Sequence, residues 1–181
     1  LPDDTISIGQ PQWQDDGTAN VTVNTTEEGV TIEYQIGGTD EGSWTPVEGG
    51  IVEGIQNGQT VYVRITDGEQ ASNPQEIAVR DETAPAKATI EPNKTSVIAG
   101  ETLTAKVTHT DNETGVNISQ SKWVLTQSPD EIGIGNDVIA QYTGSFTDNG
   151  ETITLNSSAT GTYYLHVLTV DNAGNKTETV S

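Results

Sequence analysis

The side chains able to do chemistry in this sequence are two histidines, 27 carboxylates and three tryptophans. There is no cysteine, which excludes thiolate catalysis, thiolate metal sites and disulfides. His109 closes an alternating run just before Asp111, and His166 alternates with Leu165 and Val167. Neither stands in an HExxH or GxSxG context. The alternation turns His166 toward solvent, so both read as surface histidines and not as general acid–base groups. Most carboxylates fall in loops or at outward strand positions, and no pair is singled out to flank a sugar bond. Gly133-Ile134-Gly135-Asn136 leads into no Lys and no helix signal, so it is not a phosphate loop. No catalytic residues are expected, and no enzyme.

Two chemistries remain. Asp81, Glu82, Asp111, Glu113, Asp171 and Asn175 offer hard oxygen ligands of the kind that Ca²⁺ takes six to eight at a time. Their spacing matches no EF-hand loop, so a site exists only if the fold gathers them. Turns favour Asp and Asn in any case. Trp13 and Trp44 sit near turn residues, where an indole stays partly exposed and can stack on a sugar ring.

The elements that must position these groups are strands. Thr is the commonest residue, at 28 of 181. Together with Val and Ile it favours strands over helix interiors. Val21–Val23, Val30–Ile36, Ile51–Ile55, Val61–Ile65 and Ile77–Val79 are short runs divided by turn residues such as Asn57-Gly58 and Asp67-Gly68. Arg80-Asp81-Glu82-Thr83-Ala84-Pro85-Ala86 has no strand pattern and marks a domain boundary. Beyond it lie Ala88–Ile90, Leu103–Val107, Trp123–Leu125, Ile153–Leu155, Tyr163–Val170 and Thr177–Val180. The two halves align weakly as repeats, with Val61, Val63 and Ile65 matching Leu165, Val167 and Thr169. The expected fold is all-β: two tandem immunoglobulin-like Greek-key β-sandwiches, residues 1–80 and 81–181. In the second, Trp123 is expected in the core, and the Tyr163 hydroxyl should pin the loop before its strand.

Tyr163-Tyr164-Leu165-His166-Val167-Leu168-Thr169-Val170-Asp171-Asn172-Ala173-Gly174-Asn175 resembles the penultimate strand and turn of bacterial immunoglobulin-like domains. Asp81-Glu82-Thr83-Ala84-Pro85 resembles the linker that joins such domains in series. Val61–Asp67, preceded by Trp44-Thr45-Pro46-Val47, is similar to a repeat of long Gram-positive surface proteins, although Asp67-Gly68-Glu69-Gln70 departs from the usual Asp-x-Ala-Gly-Asn. The resemblance implies stalks, spacers and adhesive units outside the cell. It also raises the Lys–Asn isopeptide bond of Gram-positive adhesins. Residues 1–80 contain no Lys, so only Lys87 or Lys94 with Asn175 could form one.

In a seven-strand sandwich, one pole collects the linker, the loop after the second strand and the last hairpin. For the second domain these carry Asp81 and Glu82, Asp111 and Glu113, and Asp171 and Asn175. The expectation is an interdomain calcium ion, to which loops of the first domain could add Asp15 or Asp16.

The net charge of −20 excludes a phosphate-backbone binder and an anionic-membrane binder. It divides into −12 for residues 1–80 (14 acidic, 2 basic) and −8 for 81–181 (13 acidic, 5 basic), so it is no acidic tail. No apolar run approaches the roughly 20 residues of a membrane span. With neither a signal peptide nor a starting Met, the chain reads as a piece of something longer. The expected setting is the bacterial cell surface. The expected part is a non-catalytic stalk, spacer or adhesive module, monomeric, partnered by neighbouring domains and by a host or cell-wall glycan or protein. The alternative is a carbohydrate-binding module or an accessory domain of a secreted enzyme.

Overall fold

A computed structural model describes residues 1–157 and 159–181. The fold is all-β, with one short 3₁₀ turn at Ile139–Gln141. The chain divides into two compact units, Leu1–Asp81 and Glu82–Ser181.

In the first unit, β1 (Ile6–Ile8) and β2 (Gln12–Trp13) both pair with β3 (Ala19–Thr25), and β6 (Ile51–Ile55) pairs with β3 as well. The second sheet runs β5 (Thr45–Pro46), β4 (Thr31–Ile36), β7 (Thr60–Thr66), β8 (Gln75–Ala78). All pairings are antiparallel. The core draws Val21, Val23, Val52 and Ile55 from the first sheet and Val61, Val63 and Ile65 from the second. Each of these aliphatic side chains contributes roughly 1.5–3 kcal/mol on burial. β7 alternates strictly between buried and half-buried residues, as a strand with one covered face should.

The second unit repeats the plan. One sheet runs β13 (Thr152–Leu155), β10 (Leu103–Thr108), β9 (Thr89–Pro92). The other runs β12 (Gly144–Ser145), β11 (Lys122–Thr126), β14 (Tyr164–Val170), β15 (Lys176–Val180). In both units the chain leaves the first sheet for two strands, returns for one, and ends on a hairpin in the second. Ala105, Val107, Ile153, Leu155, Leu165 and Val167 fill the core. Leu165 is 2% exposed and packs as an aliphatic core residue.

β14 departs from its counterpart β7. Leu165 through Val170 are all buried, on both faces of the strand. The cause is the long connection between β11 and β12, which crosses the outer face of the sheet as a strap. Tyr142, Ile132 and Ile139 from this strap pack against Leu168, Val170 and Val124. His166 is therefore wholly buried, and its expected place on the surface is wrong. Period-2 alternation shows which residues share a face, but not whether a distant loop covers it.

His109 is buried too, at 2% exposure, contrary to the surface expectation. Its ring stands edge-on to Phe146 at 4.7 Å, and Nδ1 lies 2.8 Å from the Thr169 hydroxyl. Trp123 packs against the core only half-buried, with its indole N–H donating to the Ser145 carbonyl. The approach is so close that a Cβ on Gly144 would run into the indole ring. The Tyr163 hydroxyl donates to the Ala159 carbonyl four residues upstream, as expected of a corner tyrosine.

Candidate functional site

The three aspartates Asp81, Asp111 and Asp171 each bring a carboxylate oxygen within 4.8 Å of the others. Asp171 directly follows β14 and is 1% exposed. The last turn winds around it: Oδ1 accepts the Asn175 backbone N–H at 2.8 Å, and Oδ2 accepts the Asn175 amide at 2.9 Å. Asp111 Oδ2 accepts the backbone N–H groups of Gly115 at 2.7 Å and Glu113 at 3.2 Å, so it organises the loop after β10. Gly115 adopts φ +86°, which only glycine takes without strain, and its carbonyl accepts the Asn172 N–H. Asp81 lies on the joining segment, where its own N–H donates to Asn57 Oδ1 at 2.8 Å.

Hydrogen bonding alone accounts for part of this arrangement, since Asp and Asn stabilise such turns by themselves. The donor set nonetheless suits a hard cation. Carboxylate oxygens are hard donors of the kind Ca²⁺ takes. The Asn175 amide nitrogen holds the Asp171 carboxylate in place. Glu82 is exposed, and the carboxylates of Glu82 and Glu113 fall outside the group of three.

The tryptophans do not form a stacking platform. Trp13 lies on β2, half-buried against the first core. Trp44 is half-buried with the Arg64 guanidinium 4.3 Å from its ring centroid. Arg64 is anchored there by Glu33 at 3.0 Å and Glu41 at 2.9 Å. A sugar could use that face of Trp44 only by displacing an ion-paired arginine. The isopeptide option finds its groups engaged elsewhere: Lys94 pairs with Glu101 at 2.9 Å, and the Asn175 amide is held by Asp171.

One constellation went unread in the sequence. His166 Nδ1 lies 2.9 Å from Glu178 Oε1, while Nε2 lies 2.9 Å from the Thr126 hydroxyl and 3.0 Å from the Ser128 carbonyl. Hydroxyl, imidazole and carboxylate stand in the order of a hydrolase triad. Here the histidine has no exposed surface, and the nearby depression lined by Ser119, Lys122, Asn136 and Lys176 does not reach it. A nucleophile needs room for substrate, so the triad-like order is a buried structural network. Among the described residues, no helix is long and apolar enough to cross a membrane. No protein-family model matches the chain, and no curated protein matches it.

Proposed function

We propose that this chain is a pair of immunoglobulin-like modules from a bacterial extracellular protein, serving as a non-catalytic stalk or adhesive spacer. The supporting observation is one sheet order built twice from unlike sequences. Repetition of a module suits a part whose task is reach and load, which adds up along a chain. The acidic surface suits the same task, because like-charged modules do not stick to one another. Ca²⁺ would be held by Asp81, Asp111 and Asp171. It would neutralise three carboxylates that otherwise repel. Mechanical unfolding of the chain in calcium and in EDTA tests this reading. A load-bearing module resists force before it yields, and a calcium-tied one resists more with the ion present.

A further inference from the structure

A buried carboxylate clasps the strap over the second unit. Glu178 on β15 is 6% exposed. Its Oε1 accepts the Ile132 N–H at 2.9 Å and its Oε2 the Gly133 N–H at 2.7 Å, both from the strap. Oε1 also faces His166 Nδ1. The other ring nitrogen lies 3.0 Å from the strap's Ser128 carbonyl. The Tyr142 hydroxyl closes the strap on itself by donating to the Gly133 carbonyl at 2.9 Å. Glu178 and His166 thus join β14, β15 and both limbs of the strap.

We propose that residues 127–143 form an acid-released lid, clasped by Glu178 and His166, whose opening uncovers the apolar strip of Val124, Leu168 and Val170. The clasp needs a carboxylate. A protonated acid carries a hydrogen on one oxygen, and that oxygen becomes a far weaker acceptor for the N–H it faces. The strip beneath offers the strap only apolar packing, through Ile132, Ile139 and Tyr142, which does not change with pH.

The surroundings fix the direction of the pH response. Burial opposes ionisation of Glu178, but the Ile132 amide, His166, the Gly133 amide and the Tyr142 hydroxyl outweigh it and hold its carboxyl below the usual glutamate range. The folded value lies below the unfolded one. The clasp is therefore complete above the usual glutamate range and is lost as pH falls through the lower folded value. The other groups around the clasp are Tyr142 from the strap, and Lys122 on β11 and Lys176 on β15, which share the outer face by strand alternation. Asp130, Glu131 and Asp137 on the strap are exposed. Burial, followed by the neighbouring Glu178, pushes the Tyr142 hydroxyl up, so it stays a neutral donor throughout. The inference does not depend on the stalk reading.

Hydrogen exchange of the full chain tests it, with rates corrected for the intrinsic effect of pH and β10 amides as the internal reference. Glu178→Gln places an NH₂ against at least one of the donors that the carboxylate now accepts. At pH 7 the variant is expected to lose at least tenfold protection at Ile132 and Gly133 while β10 amides are unchanged. Wild type should show the same selective loss as pH falls from 5 to 3. Equal protection in E178Q and wild type at pH 7 would overturn the proposal. So would wild-type strap amides that stay closed until β10 itself unfolds. If E178Q fails to fold, the wild-type titration decides alone.

Discussion

Asp171→Asn separates a cation site from a plain aspartate turn, because the two accounts predict opposite signs. The substitution preserves shape, and the Asn oxygen can still accept the Asn175 backbone N–H now bound at 2.8 Å. It turns the other acceptor into an NH₂ facing the Asn175 amide, at a cost of about 1 kcal/mol. Against this stands charge. With carboxylate oxygens within 4.8 Å of each other, an effective dielectric of ~20 gives about 3.5 kcal/mol of repulsion per ionised pair. Removing one of three charges removes two such pairs. Solvent at the half-exposed Asp111 and salt screening reduce the relief to about 2–3 kcal/mol. In EDTA the variant should therefore be more stable than wild type by about 1–2 kcal/mol, a rise of about 5–10 °C in Tm for a unit of this size. In calcium at a hundred times its Kd, wild type gains about 2.7 kcal/mol that the variant largely forgoes, so the order reverses. Differential scanning calorimetry in both buffers reads the crossing. A variant less stable than wild type by the same amount in both would refute the reasoning, and would leave Asp171 as the anchor of its turn.

Two further perturbations test the second unit. Burial pushes the His109 ring down to about 4, below its ordinary value of 6.5. The unfolded chain takes up a proton between those values that the folded chain refuses, so stability should fall by about 3 kcal/mol as pH drops from 6.5 to 4. Urea unfolding at pH 7, 5.5 and 4.5 measures this, and a slope that survives His109→Gln would contradict it. Gly144→Ala would drive a methyl into the Trp123 ring, so it should shift Trp123 fluorescence and cost about 1–3 kcal/mol. An unchanged spectrum and Tm would mean the two strands separate freely there.

The strands were legible because their signal is local. Val61, Val63 and Ile65 face inward as their spacing requires, and the first unit ends at Asp81, one residue beyond the expected boundary. The aspartates were partly legible: Asp81, Asp111 and Asp171 came from reasoning about which loops share a pole, and all three lie together. Glu82 and Glu113 lie in the same loops but outside that group, because loop membership does not say which side chain turns inward. The histidines were misread for a different reason. His166 is on the outer face of its strand, as the alternation says, but that face is covered by a segment some forty residues earlier. A hint lay in Ile132, Ile139 and Tyr142, apolar residues in a stretch with no strand pattern, which need something to cover. The two-residue strands β2 and β12 and the pairing of β1 are too short to carry a period at all.

Pulling the full chain by its ends in an atomic force microscope tests the central claim most directly. At roughly 3.6 Å per extended residue, Leu1–Asp81 releases about 290 Å of contour and Glu82–Ser181 about 360 Å, less their folded spans. A load-bearing pair of modules predicts two separate force peaks with these increments, and a higher force in calcium than in EDTA for the longer one. Smooth extension without peaks, or one merged event indifferent to calcium, would contradict the account.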